Sequence, residues 1–164
     1  MGIFPRILRT WRSPRVVMRE ILAAGTREDR ALATLVGAAL LLFVAQWPIH
    51  ARAAHLDPSI PLDARIGGAL MGAVFLLMPL AYLLAAISHW VCGMIGGQGS
   101  HYRARMALFW ALLAVGPFML LNGLVGGFVD NPQSQSLVSA VAGVMFVVIW
   151  GANLRVAEFE PETL

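Results

Sequence analysis

The sequence contains no lysine and only one cysteine, and each of these gaps excludes a class of protein. Without lysine, the glycine-rich segment 93–100 does not complete a phosphate-binding loop, which ends in Gly-Lys-Ser/Thr. The single cysteine, Cys92, excludes an intrachain disulfide framework. Charged residues make up only 13% of the chain, against roughly 25% in soluble domains. We therefore expect most of the chain to lie in a membrane.

Four stretches without Asp, Glu, Lys or Arg determine the predicted fold class. They cover residues 31–51, 66–101, 106–129 and 131–154, and the mean hydropathy of the chain is +0.72. About 20 apolar residues in a helix span a hydrocarbon layer of roughly 30 Å. The stretches lack the alternation of barrel strands. The sequence predicts an all-α, polytopic transmembrane helical bundle over residues 31–157, with four spans at about 31–49, 66–93, 106–129 and 136–154.

Residues 1–30 form a basic N-terminal segment that contains seven of the twelve arginines. From Pro14 to Ala24 apolar residues recur at helical spacing, and Gly25 follows as a typical helix end. Such a basic amphipathic helix is expected to lie in the membrane interface; the alternative is a solvated arm. Because a span follows directly, we expect contact with anionic lipid headgroups and not with nucleic acid. The candidate headgroup contacts are Arg6, Arg9, Arg12, Arg15, Arg19, Arg103 and Arg105.

The distribution of arginine also predicts the orientation of the spans. Ten arginines lie in the N-terminal segment, the turn between spans two and three, and the C-terminal segment, whereas only Arg52 and Arg65 lie on the other side. Positive charge is enriched on the cytoplasmic side of membrane proteins, so both termini are predicted to be cytoplasmic. Segment 51–65, with its two prolines, is interpreted as an exposed turn, and segment 158–164 as a short, mobile acidic tail.

Small residues at four-residue spacing are candidates for close helix packing, because they allow two helix backbones to approach. They either pack inside the four-helix bundle or contact a transmembrane helix of a partner, and the sequence leaves both open. Pro79 and Pro117 lie inside spans and are expected to kink them. The candidate packing residues are Gly68, Gly72, Gly123, Gly127, Ser139 and Gly143.

The polar residues of the spans do not form a recognisable reactive set. His89 and Cys92 share a helix face, but two ligands without a third make a weak metal site. Gln46 and Asn122 are expected to form interhelical hydrogen bonds; the alternative is a substrate site. No nucleophile is paired with a base, so we predict no catalytic residue, no cofactor and no metal site, and we expect the chain not to be an enzyme.

Several short motifs resemble a known family along nearly the whole chain. They are W-R-S-P-R-x-x-M-R-x-I-L at 11–22, G-G-x-G-S followed by A-L-x-W-A within 96–111, P-F at 117–118, and W-x-x-N-L-R at 150–155. Together they resemble the bacterial branch of the YIP family, membrane proteins named for interacting with Ypt/Rab GTPases. The resemblance implies a non-enzymatic, multi-pass protein of the bacterial inner membrane. The eukaryotic pattern has five spans and a longer N-terminal region, so Rab binding is not carried over to this chain.

Three functions follow as hypotheses from these features. The first is a scaffold or membrane-organising factor that works through helix–helix and lipid contacts, with anionic lipids and other membrane proteins or further copies of itself as partners. The second is an accessory subunit of a larger respiratory or photosynthetic membrane complex. The third is a small permease, which would have to use Gln46 or Asn122 because the four stretches contain no charged side chain.

Overall fold

The computed structural model describes residues 2–160. In this part of the chain all regular structure is helical, as the hydropathy pattern predicts. In chain order the helices are α1 (Ile3–Arg12), α2 (Pro14–Leu22), α3 (Glu28–Ala45), α4 (Trp47–Leu56), α5 (Leu62–Met71), a π-helical segment (Gly72–Leu77), α6 (Met78–Met94), α7 (His101–Phe128) and α8 (Pro132–Phe159).

Four helical stretches are long and apolar enough to cross a membrane, which confirms the predicted number of spans. They are Glu28–Leu56, Leu62–Met94, His101–Phe128 and Pro132–Phe159. A helix of 28 residues is about 42 Å long, whereas the hydrocarbon layer is roughly 30 Å thick. The helix ends therefore extend beyond the hydrocarbon layer, where polar and charged side chains can be accommodated.

The first span is divided at Gln46, where α3 ends and α4 begins. The Gln46 N–H donates to the Phe43 carbonyl at 3.1 Å, which tightens the last turn of α3, and Pro48 lies in the first turn of α4. Helix α4 continues to Leu56, so the exposed turn expected over 51–65 was wrong for most of its length. The non-helical connection is 57–61, and it contains both Pro58 and Pro61.

The second span contains a π-helical segment directly before Pro79. Proline has no N–H to return to the preceding turn, and the backbone of Gly72–Leu77 responds with wider i→i+5 turns. The structure thus shows a π-helical segment before Pro79, and the kink expected there stays a prediction. Pro117, in contrast, lies inside the continuous helix α7.

Helix α7 is the centre of the bundle, with α3, α6 and α8 packed around it. Half of its most apolar window is buried, against 17% for the second and fourth spans. Phe109 and Met106 of α7 pack with Leu35 of α3 in the main apolar cluster. Asn153 of α8 donates to the Ala107 carbonyl at 3.2 Å, which adds a buried polar link between α7 and α8.

The N-terminal segment forms two helices that dock on this bundle. Helix α2 has the predicted apolar face, which is formed by Val17, Met18 and Ile21. These side chains are buried against the bundle. In α1, the Trp11 indole donates to the Ala114 carbonyl of α7 at 2.9 Å. Gly25 ends this segment with a φ of +82°, a conformation that favours glycine.

Helix α2, the start of α7 and the end of α8 meet at one end of the bundle, through the contacts of Arg19 and Arg103 with Glu160, and we call it the arginine-rich end. Gly96, with a φ of +91°, reverses the chain there between α6 and α7, as predicted for this turn. The mobile acidic tail was expected to begin at residue 158. Instead, α8 continues to Phe159, and Val156 and Glu158 are buried. The rest of the predicted tail, residues 161–164, lies outside the described residues.

Candidate functional site

Ion pairs hold the N-terminal helices to each other and to α8. The Arg9 guanidinium donates to both carboxylate oxygens of Glu20, at 3.2 and 2.7 Å, and so joins α1 to α2. Arg19 makes the same two-pronged contact with Glu160, at 2.7 and 2.8 Å, and joins α2 to the end of α8. These hydrogen bonds lower the pKa of the Glu160 carboxyl below its ordinary value, against a smaller opposing effect of burial.

Two of the arginines predicted to face lipid instead contact the protein. Arg103 is only 8% exposed, and its guanidinium donates to the carbonyls of Val156 at 2.9 Å and Glu160 at 3.1 Å. Arg105 pairs with Glu28 of α3, and its guanidinium carbon lies 5.9 Å from the centre of the Tyr82 ring. Both side chains connect spans, and Arg103 has little surface left for a headgroup.

A polar cluster that the sequence did not indicate lies beside them. Glu158 is completely buried, and its Oε1 lies 2.8 Å from Nδ1 of His89. The ring of His101 packs against that of His89 with centroids 4.2 Å apart. The Gln98 N–H donates to the Glu158 carbonyl at 2.7 Å, and a Cβ on Gly99 would come within 2.7 Å of Oε2. This His–Glu cluster joins the turn after α6 to the end of α8.

The cluster is not assembled as a metal site. Among residues 2–160, no three His, Cys, Asp or Glu side chains are grouped closely enough to hold a metal ion. His89 contacts one carboxylate oxygen of Glu158, and the other, Oε2, is buried without a hydrogen-bond partner among the described residues. The arrangement fits a buried structural contact between α6 and α8.

The remaining predicted headgroup contacts lie on the N-terminal helices. Arg12 and Arg15 are exposed, and within the described part of the chain neither forms an ion pair. Arg6 is half-buried and lines a cavity of about 440 Å³ between α1, α2, α3 and α7. Arg30, which the sequence did not single out, lines the same cavity.

The five glycines among the six candidate packing residues fall into two groups. Gly123 and Gly127 of α7 face the junction of α3 and α4, where an added Cβ would lie 2.8 Å from the carbonyl carbons of Ala45 and Pro48, respectively. Gly68, Gly72 and Gly143 have no other heavy atom within 4 Å of such a Cβ, apart from immediate neighbours and the backbone of their own helix. Ser139 is exposed and donates to Asn122 Oδ1 at 2.8 Å.

Gln46 and Asn122 lie together at a second cavity, in the half of the bundle opposite the arginine-rich end. It has a volume of about 420 Å³ and opens between the first two spans, with α7 as its floor. Gly72 and Leu76 of the π-helical segment form part of its wall. Apart from the two amides, the side chains around it are apolar. Among the described residues, the side chain of Gln46 bonds only the Leu42 carbonyl of its own helix, at 3.3 Å, so the interhelical hydrogen bond expected for Gln46 is not formed there. The one expected for Asn122 is confirmed by its bond from Ser139 of α8.

The helices and these two cavities define the class of protein: a multi-pass helical membrane protein with a docked N-terminal helix pair. The family model for the Yip1 domain matches residues 8–162, and the chain belongs to this family. The resemblance found in the short motifs is therefore confirmed at the level of the family, while the bacterial branch stays a prediction. No curated protein and no solved structure gives a significant match.

Proposed function

We propose that this Yip1-domain protein is a membrane scaffold or organising factor that works through helix–helix and lipid contacts. Proteins of the Yip family are membrane proteins that interact with other proteins and with lipids, and the family is not one of enzymes. The observation that carries the proposal is that Gly68 and Gly143 are exposed, and that among the described residues no other helix lies within 4 Å of a Cβ added at either position. In a membrane, small residues on an open helix face permit close approach of another helix.

The open faces belong to the two least buried spans, the second and the fourth. On α8, Val144 and Val147 are more than half exposed and flank the surface that contains Gly143. An exposed apolar side chain is normal in lipid, so the valines alone indicate nothing. Glycine is different, because it offers lipid little contact area and offers a neighbouring helix a place to pack closely.

The test is co-purification of the full chain in mild detergent, followed by mass spectrometry of bound proteins and lipids. The proposal predicts that Gly143→Leu removes partner proteins or self-association while the protein still folds. Val141→Phe is the matched control, because Val141 is also exposed on α8 but lies on the opposite side of the exposed face. Equal losses in both variants, or a wild-type chain without any partner, would count against a scaffold.

Stoichiometric co-purification with cofactor-bearing subunits would instead support the accessory-subunit hypothesis. The permease hypothesis is favoured by one specific observation, which is that Gln46 and Asn122 line one cavity. It predicts solute flux into liposomes that Asn122→Leu abolishes. Flux that is absent, or unchanged in this variant, would remove the permease from consideration.

We also propose that the arginine-rich end faces the cytoplasm, since arginine is enriched on that side. Arg52 donates to the Val129 carbonyl at 3.0 Å, so the first and third connections lie at the same end of the bundle. Reporter fusions at Ser59 and Asn131 are expected to report the periplasm, and a fusion at Ser100 the cytoplasm. The reverse pattern would show the opposite orientation.

A further inference from the structure

The cavity between α1, α2, α3 and α7 is lined both by arginines and by apolar side chains. Arg6 and Arg30 contribute guanidinium groups, whereas Ala33, Gly37 and Leu113 contribute apolar surface. Its volume of about 440 Å³ is within the range of roughly 300–1,000 Å³ of small-molecule sites. An occupant of matching chemistry must therefore be anionic and apolar at once.

The positive charge in this cavity is not neutralised by the protein. Glu20 also lines the cavity, but both of its oxygens accept hydrogen bonds from Arg9. Within the described residues, neither Arg6 nor Arg30 has a carboxylate within 4.0 Å, and Arg30 donates only to the Ile21 carbonyl, at 3.3 Å. Arg6 Nε is shielded from solvent and has no hydrogen-bond partner. Such a guanidinium is stabilised by an oxyanion with several acceptor oxygens.

Along α3, the apolar part of the lining lies deeper in the bundle than Arg30. Gly37 follows Arg30 by seven residues on α3, which places it about 10 Å further along the helix. Thr34, between them, donates its hydroxyl to the Arg30 carbonyl at 2.8 Å, so this wall presents little free polarity. This order, cationic near the end of the span and apolar towards its middle, matches a phospholipid from its phosphate to its acyl chain.

We propose that this cavity binds one anionic phospholipid, with its phosphate between Arg6 and Arg30 and the first part of an acyl chain along Ala33, Gly37 and Leu113. This proposal specifies the lipid contact that the proposed function includes. It rests on the proposed function only in assuming that the protein binds lipid. It differs from general attraction of basic residues to a charged surface, because it requires the docked α1 helix to bring Arg6 beside α3.

The experiment measures lipid retention by the full chain with native mass spectrometry, after reconstitution with equal amounts of phosphatidylglycerol and phosphatidylcholine. We expect one phosphatidylglycerol to be retained preferentially. The double variant Arg6→Gln/Arg30→Gln is expected to reduce this retention tenfold or more, since two charge-assisted hydrogen-bonding groups are lost. Arg12→Gln is the matched control, because Arg12 is exposed and lies outside the cavity.

A second variant keeps both charges and blocks the apolar part of the lining. Ala33→Phe is expected to reduce retention of phosphatidylglycerol to a similar degree, and its helix content in detergent is measured to verify folding. Inorganic phosphate at millimolar concentration should not displace the lipid. Equal losses with Arg12→Gln, equal binding of phosphatidylcholine, unchanged retention in Ala33→Phe, or displacement by phosphate would each overturn the proposal. Loss of partners in Gly143→Leu is measured separately, so the two proposals fail independently.

Discussion

Two glycines on different helices give opposite expectations for the same substitution. A Cβ on Gly123 of α7 would lie 2.8 Å from the carbonyl carbon of Ala45 and still closer to its oxygen. Carbon atoms in contact are ordinarily about 3.5–4.0 Å apart, so α3 and α7 would have to separate by at least roughly 1 Å. Both partners are backbone atoms of packed helices, and no rotamer change relieves the clash. At Gly143 the same Cβ has no other neighbour within 4 Å.

The expected magnitude follows from comparing Gly123→Ala with Gly143→Ala. Both glycines lie inside helices, so the gain in helix propensity, up to about 1 kcal/mol, is similar in the two variants and cancels. The difference in unfolding free energy then reports overpacking, typically about 1–3 kcal/mol, and we expect the upper end because backbone meets backbone. The assay is reversible unfolding in mixed micelles with increasing SDS, followed by circular dichroism. Equal stabilities of the two variants would refute the close approach of α3 and α7.

Two further predictions concern the arginine-rich end. His89→Ala removes the hydrogen-bond partner of the buried Glu158 carboxyl, so we expect a loss of about 1–3 kcal/mol in the same assay, whereas His55→Ala, at the exposed end of α4, should have little effect. The contact with Arg19 lowers the pKa of Glu160. This contact therefore fully stabilises the docking of α2 on α8 when the pH is above the ordinary carboxyl pKa, and it is lost as the pH falls through the lowered pKa. Hydrogen exchange of α2 should therefore rise in acid, and Glu160→Gln should remove that dependence; unchanged exchange would contradict it.

The parts of the fold that sequence predicts are those governed by local composition. Hydropathy is a sum over about 20 neighbouring residues, and it indicated the four spans without any knowledge of their contacts. Gly25 was expected to end a helix for the same reason, since the positive φ found there is a local demand that glycine meets best. Helix α1 was not separated from the basic segment, because its arginines interrupt the apolar pattern that identifies a helix.

The contacts of the arginine-rich end depend on chain positions that are far apart. Glu158 and His89 are 69 residues apart, and an acidic C-terminal segment ordinarily indicates solvent exposure. The spacing of small residues is likewise the same for Gly123 with Gly127 and for Ser139 with Gly143, yet both members of the first pair pack against α3 and α4, whereas a Cβ on Gly143 would meet no other helix within 4 Å among the described residues. Sequence spacing identifies a face on one helix, whereas the neighbour of that face is a property of the whole fold.

The arginines divide into those that hold the fold together and those that remain available to lipid. Arg103 donates to the Val156 carbonyl and Arg105 pairs with Glu28, so both stabilise the bundle whatever lipid surrounds it. Arg6 and Arg30 come together only when α1 is docked, because they belong to separate helices. An anionic lipid that requires both must then favour the docked state by mass action, in proportion to its concentration relative to its dissociation constant. The hydrogen bond from the Trp11 indole to the Ala114 carbonyl also stabilises the docked state, at the opposite end of α1. Docking of α1 is therefore the step at which lipid composition can affect the bundle.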